Sequence, residues 1–275
     1  MSIPLPFLDA AALLRQHHLR PDKSLGQNFL QDPAALQQIA ATAEIGPADT
    51  VLEIGPGLGS LTRYLARSAR TVTAIELDHK LIPILQTVLV DHPNVRLIEG
   101  DILKFPPSRL IDSDDYLVVA NVPYYITSAI FRHLLAGPPR PRRIVLTIQA
   151  EVAARICAEP GDLSLLALSI QVYGRPKVTA GIPAEAFYPP PKVDSAVIRV
   201  DLYDTPAIPA GQLERFFRLA KAGFSQKRKT LRNSLSAGLA ISTEMAARLL
   251  NGAGIDPRRR AETLNLQEWA KLCEQ

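Results

Sequence analysis

Between residues 50 and 148, short runs of β-branched and aliphatic residues alternate with segments whose apolar positions recur at helical spacing. No other feature of the chain limits its fold as much. Strands are expected at residues 50–54, 71–77, 95–99, 116–120 and 143–148. Between them, helices are expected at 58–67, at 79–90 with Pro83 limiting the first turn, and at 128–135. Alternation of this kind needs crossover connections and therefore a parallel, doubly wound sheet. Ligands bind such sheets at the edge where the strands end. Upstream, Asp9 can cap a helix at 10–18, and residues 19–30 read as a basic, irregular arm. Asp32-Pro33 then starts another helix, with Asp as cap and Pro in the first turn.

After about Ala150 the pattern changes. Residues 163–172 are strongly apolar and expected to be buried. Strands are expected at 178–182 and 196–202, flanking the turn Tyr188-Pro189-Pro190-Pro191. A linker-like stretch at 204–210 precedes helical segments at 212–222, 227–239, 243–250 and 266–273. The expected division is residues 1–204 followed by a small helical domain at 205–275.

The net charge of +4 is unevenly spread, with +6 on residues 205–275 and −2 on the remainder. Such asymmetry suits a nucleic-acid partner. Besides Lys227, Arg228, Lys229 and Arg232, expected to begin a helix, there are basic clusters at Arg258-Arg259-Arg260 and at Arg140, Arg142 and Arg143. No apolar stretch approaches the roughly 20 residues that span a bilayer. Residues 1–19 lack the basic start and apolar core of a secretory leader. Cys157 and Cys273 form no ligand spacing and fit a reducing, cytoplasmic setting. The five histidines form no HxH or HxxxH pair, so no metal site is expected.

Glu53-Ile54-Gly55-Pro56-Gly57-Leu58-Gly59 follows the first of the alternating strands and opens a helix. Gly55 and Gly57 match the start of the G-x-G-x-x-G pattern that seats a pyrophosphate, but the third glycine comes one position early. Pro56 also lacks the N–H that a phosphate would use. The loop therefore suits an uncharged or cationic part of a ligand. Glu76 ends the next strand, 21 residues after Gly55, where an acid can accept from both hydroxyls of a ribose. Asp101 follows the third strand and can accept from an adenine amine. Together the two acids outline a nucleoside pocket, for either a nicotinamide dinucleotide or S-adenosylmethionine. Glu53, on the strand itself, is expected to hydrogen-bond the loop.

Asn121-Val122-Pro123-Tyr124 directly follows the apolar run 116–120. The Asn121 oxygen can accept one N–H of an exocyclic amine, and a backbone carbonyl beside Pro123 can accept the other. Tyr124 can lie on a flat base. The same residues are also common in turns.

With these motifs, the chain resembles the ribosomal RNA adenine N6-dimethyltransferases, and among them the branch acting on small-subunit (16S) rRNA. The resemblance covers residues 23–272. It is carried by Leu25-Gly26-Gln27-Asn28-Phe29-Leu30, the Glu53–Gly59 loop, Asn121–Tyr124, Ala186-Phe187-Tyr188-Pro189-Pro190-Pro191 with the residues that follow, and Lys227-Arg228-Lys229-Thr230-Leu231-Arg232-Asn233. It implies a Rossmann-like methyltransferase sheet with a small C-terminal all-helical domain. It implies S-adenosylmethionine at Asn28, Leu30, Gly55, Glu76, Asp101 and Asn121, with Gly57 in the same loop. It implies a target adenine between Tyr124 and Phe187, and the charge of Lys227, Arg228, Lys229 and Arg232 suits contact with RNA phosphates. The implied substrate is a pair of adjacent adenines near the 3′ end of 16S rRNA in an immature small subunit, and the enzyme is expected to be monomeric.

The sequence differs from the family at several places. Tyr125 stands where Asn is usual, Val122 where Leu is common and Ala150 where Lys is usual, and residues 163–167 lack a Lys-x-Tyr-Gly-Arg-like run. The motifs for methyl transfer are intact. A nicotinamide oxidoreductase, a ribosome-assembly factor without catalysis and a 23S rRNA methyltransferase are the competing readings.

Overall fold

A computed structural model describes residues 5–275. Residues 1–4, the beginning of the expected first domain and of the segment read for a leader, lie outside the described residues. The chain forms two compact units. One runs up to Ala153 and resumes over Lys177–Leu202, and the other comprises Ala154–Pro176 and Tyr203–Gln275.

In chain order the elements begin with α1 (Ala10–Gln16), β1 (Phe29–Leu30), α2 (Pro33–Ala43), β2 (Thr50–Ile54), α3 (Ser60–Ser68) and β3 (Thr71–Glu76). Next come α4 (Ile82–Val88), β4 (Val95–Glu99), α5 (Pro107–Leu110), β5 (Leu117–Asn121), α6 (Thr127–Leu135) and β6 (Arg143–Gln149). Then follow α7 (Ala150–Ile156), α8 (Leu165–Gln171), β7 (Gly174–Ile182), β8 (Phe187–Tyr188) and β9 (Ser195–Leu202). The chain ends with α9 (Leu213–Gly223), α10 (Leu231–Leu239), α11 (Thr243–Gly252) and α12 (Leu266–Cys273).

Seven strands form one sheet in the order β4-β3-β2-β5-β6-β9-β7. Strands β2 to β6 are parallel to one another, with registers such as Ile54 opposite Ile75 and Asn121 opposite Thr147. All of β2 is buried, as expected of a parallel strand covered on both faces. From β2 the chain winds outward through β3 and β4, then crosses back to β5 on the other side. The sheet therefore has its topological switch between the ends of β2 and β5. Helix α2 is set by its first residues: the Asp32 side chain accepts the Ala35 N–H at 2.7 Å, and Pro33 fixes the first turn. Its buried face of Ala35, Leu36, Ile39 and Ala43 packs in the same core as Val51, Val119 and Val145.

Four differences from the expected elements have local causes. Strand β5 runs one residue further than expected, so Asn121 is its last member. The segment 79–90 divides into a 3-10 turn at His79–Leu81 and then α4, because Pro83 sits in the first helical turn. The sheet is mixed: β9 lies antiparallel to β6, with Ser195 opposite Gln149. The chain reaches β9 from the edge where β6 ends, and so must run back along it.

The fourth difference concerns the division of the chain. The expected boundary at 204/205 lies beside the observed start at Tyr203, but Ala154–Pro176 groups with the helical unit rather than with the sheet. The apolar run 163–172 contains helix α8, capped by Ser164, whose side chain accepts the Ala167 N–H. Tyr173 stacks on Phe217 at 6.3 Å, and the Gly161 and Leu163 N–H groups donate to the Glu262 carbonyl. The core of this unit is Trp269, buried between Phe216 and Phe224. Among the described residues, no helix is long and apolar enough to cross a membrane.

Candidate active site

The glycine loop leaves β2 at the switch point. Gly55 has φ +67°, in the left-handed region, and a Cβ there would project into open space. Gly57 has φ +60°, and a Cβ there would stand 3.0 Å from the Phe29 ring. The loop is tied to the end of β3: the Gly57 N–H donates to Glu76 Oε2 at 3.0 Å, and the Asp78 N–H donates to Glu76 Oε1 at 2.9 Å. Each carboxylate oxygen thus holds one backbone donor and keeps a lone pair for a ligand hydroxyl. Burial raises the pKa of Glu76, and the two N–H bonds oppose that rise. Asp101 Oδ1 accepts the Leu103 N–H at 3.0 Å and caps a 3-10 turn at Ile102–Lys104.

The N-terminal arm closes the opposite wall. Gln27 Nε2 donates to Asp78 Oδ2 at 2.8 Å, while its Oε1 accepts the Asp22 N–H at 2.7 Å. Phe29 and Leu30 pair with Tyr188 and Phe187 in a two-stranded ladder. Asn28 Nδ2 donates to the Gly26 carbonyl at 3.1 Å, and the Asn28 carbonyl accepts from Asn121 Nδ2 at 3.2 Å. With its nitrogen committed, Asn121 is left with Oδ1 as its free acceptor. The Pro123 carbonyl accepts the Ile126 N–H at 3.2 Å and retains its second lone pair. The Tyr124 hydroxyl and Ser195 Oγ are 2.6 Å apart, which fixes the ring. Burial raises the pKa of that phenol, and its bond to Ser195 lowers it.

One cleft is lined by Asn28, Leu30, Gly55, Gly57, Glu76, Asp101, Asn121, Pro123, Tyr124 and Phe187. Phe187 is only 2% exposed and also belongs to a core cluster with Leu30, Leu36, Ile182 and Val197. Glu53 corrects the sequence reading: it makes no hydrogen bond to the loop, and its buried Oε2 has no partner. Complete burial pushes its carboxyl up to about 8; the nearby Thr62 hydroxyl acts against this and the Glu76 charge adds to it. Sequence reasoning missed Asp78 and Ser195, which hold the arm and Tyr124. Only the cap pattern of Asp78 before His79 carried a signal, since Ser195 meets Tyr124 across 71 positions.

Residues 19–273 match the family of ribosomal RNA adenine dimethylases. The chain belongs to the ribosomal RNA adenine dimethylase family. It is 46% identical to a ribosomal RNA small subunit methyltransferase A of Dehalococcoides mccartyi (strain CBDB1), over 99% of this chain and 94% of the relative. Against the protein of the same name from Moorella thermoacetica, identity is 45%, over 95% and 94%. Among solved structures, the chain resembles a dimethyladenosine transferase from Plasmodium falciparum with a TM-score of 0.76 and 25% identity, over 89% of this chain and 95% of that one. It also resembles the 23S rRNA methyltransferase ErmE, with a TM-score of 0.73 and 30% identity, over 90% and 98%.

In this member of the family the basic clusters differ in what holds them. Lys227, Arg228 and Lys229 do not begin a helix: they lie exposed in the turn before α10. The helix starts at Leu231 because the Leu231 and Arg232 N–H groups donate to the Arg259 and Pro257 carbonyls, with Thr230 extended before them. Those bonds set the 227–232 cluster beside the 258–260 cluster. Arg259 is engaged by Glu268 and by the Thr263 carbonyl, and Arg258 pairs with Asp256 while its side chain stays 86% exposed. The third cluster is taken up within the fold. Arg142 pairs with Asp49 and Asp115, and Arg143 with Glu44 and Asp201. Arg140 donates to the Leu135 carbonyl at 2.9 Å.

Proposed function

We propose that this chain transfers methyl groups from S-adenosylmethionine to N6 of two adjacent adenines near the 3′ end of 16S rRNA, giving dimethyladenosines in an immature small subunit. It acts in the cytoplasm as a monomer. The observation that carries this reading is the cleft, where an Asn121 amide held from behind by Asn28 stands with Tyr124 and the glycine loop.

The groups present fit the cofactor. Glu76 has one lone pair per oxygen for ribose hydroxyls, Asp101 an oxygen for the adenine amine, and Gly55 an open side toward the ligand. Bound S-adenosylmethionine supplies an electrophilic methyl group on a sulfonium. Adenine N6 is a weak nucleophile because its lone pair is delocalised into the ring. Asn121 Oδ1 and the Pro123 carbonyl accept its two N–H bonds, which favours a pyramidal nitrogen with its lone pair directed at the methyl carbon. Tyr124, fixed by Ser195, stacks on the purine, and Phe187 bounds its other side. As N6 takes the methyl group, the neutral thioether would leave with the carbon–sulfur electron pair, and the amine would then lose its proton to solvent. Positioning supplies most of the rate. The base must leave its stack to enter, and aromatic faces offset that cost. Lys227, Arg228, Lys229 and Arg232 contact phosphates, which orients the RNA without reading its sequence.

The test is incubation with radiolabelled S-adenosylmethionine and immature 30S or 50S particles, followed by mapping of the modified base. Label is expected on paired adenines of 16S rRNA. Label on 23S rRNA would move the chain to the other branch, and subunit binding without label would make it an assembly factor.

A further inference from the structure

Two consecutive tyrosines stand at the mouth of the cleft and face different surroundings. They lie in a 3-10 turn, Tyr124–Ile126, where successive side chains are about 120° apart. Tyr124 turns in to Ser195 and is half-buried. Tyr125 is 63% exposed yet lines the same cleft. Its ring atoms Cε1 and Cδ1 would stand 3.2 and 3.4 Å from a Cβ on Gly26, so the ring lies directly against the arm backbone. Gly26 has φ +63° and no side chain, and both features let the ring approach. The arm is itself anchored through Gln27 to Asp78 and through Asn28 to Asn121.

We propose that Tyr125 is a second stacking platform, and that it receives the purine adjacent to the one held at Tyr124. This rests on the reading of the cleft as an adenine methyltransferase site. Extruding one adenine leaves its neighbour unstacked on that side. A flat π face packed on the arm one residue from the reacting base recovers the lost stacking at a lower ordering cost than a side chain free in solvent. In a tandem pair that neighbour is the second adenine, so the platform holds the next substrate while the first reacts. Stacking does not read the bases, which leaves recognition to the Asn121–Pro123 acceptors and to the RNA fold.

The test uses the full chain with S-adenosylhomocysteine, and immature 30S particles whose 16S rRNA carries 2-aminopurine in place of one adenine of the pair. 2-Aminopurine has no N6 amine, so the remaining adenine is the target and the fluorescent base is its neighbour. Wild type and Tyr125→Phe should quench its fluorescence on binding. Tyr125→Ala and Tyr125→Asn should lose the quenching and bind about tenfold more weakly, within the range for loss of one stacked base. All four should bind S-adenosylhomocysteine alike, which reports an intact cleft. With an abasic site at the neighbour, wild type should fall to the affinity of Tyr125→Ala, and Tyr125→Ala should lose nothing further. Equal quenching by wild type and Tyr125→Ala, or abasic and alanine losses that add, would overturn the proposal. The abasic comparison on wild type stands even where a variant folds poorly. Wild type that neither quenches nor methylates unsubstituted 30S would remove the cleft reading together with this one. Methylation without quenching would remove this one alone.

Discussion

The side-chain nitrogen of Asn121 donates to the backbone carbonyl of Asn28 at 3.2 Å, joining residues 93 positions apart. This bond commits the amide nitrogen and leaves the side-chain oxygen of Asn121 as its remaining acceptor. It also fastens the arm over the end of β5, where Asn121 is the last strand residue.

Removing that amide separates positioning from cofactor binding. Asn121→Ala should lower the single-turnover methylation rate about 100-fold or more, comparable to loss of one preorganised polar contact in other active sites. Affinity for S-adenosylmethionine, measured by calorimetry, should fall by less than about tenfold. Equal single-turnover rates for variant and wild type would take Asn121 out of the mechanism.

The buried carboxyl of Glu53 makes stability depend on pH. Its ordinary value is 4.5, and burial raises it to about 8 in the folded chain. Between those values the folded protein retains a proton that the unfolded chain releases. The stability it contributes is complete below the unfolded value and declines as pH rises toward the folded one. Glu53→Gln cannot ionise, so its stability relative to wild type should improve from about pH 5 to about pH 8.5, by an amount on the order of a few kcal/mol. Urea unfolding at both pH values measures it, and a difference independent of pH would contradict the burial of that charge.

Phe187 has both a packing role and a wall of the cleft, and two substitutions distinguish them. Phe187→Ala should destabilise the fold by about 3–5 kcal/mol, the range for truncating a buried ring. Phe187→Leu keeps apolar volume and should cost about 1.5 kcal/mol or less. The leucine variant should still bind 16S rRNA about tenfold more weakly, through loss of its flat face. Wild-type RNA affinity in Phe187→Leu would leave only the core role.

Salt dependence distinguishes the basic clusters. Replacing Lys227, Arg228 and Lys229 by Ala should flatten the slope of log affinity for 16S rRNA against log salt by about 0.7–0.9 per charge removed. These side chains are exposed, so the unfolding midpoint should hardly move. Arg142→Ala should leave the slope unchanged and cost up to about 1 kcal/mol of stability, because its pairs are with Asp49 and Asp115.

Elements built from near neighbours were legible in the sequence. Strand β2 runs over Thr50–Ile54 as its β-branched run and following glycine indicate. Helix α12 starts at Leu266 because Asn265 and Glu268 form a capping box, a signal four residues long. The start of α10 was not legible. Its first N–H groups are satisfied by carbonyls of Pro257 and Arg259, far along the chain, so the basic run before it stays outside the helix. The same holds for Ala154–Pro176, whose apolar residues announce burial but do not say against which unit.

The succession of strands β2 to β6 along the chain, the glycine loop after β2, and acids at the end of β3 and after β4 were legible in the sequence, because each depends on residues a few positions apart. The tertiary structure decided that the Asn121 side-chain nitrogen bonds the Asn28 carbonyl, that Ser195 fixes Tyr124, that Glu53 Oε2 is left without a hydrogen-bond partner, and which arginines are paired within the fold. Those outcomes depend on atoms brought together from distant parts of the chain, and a linear pattern holds no record of their distances.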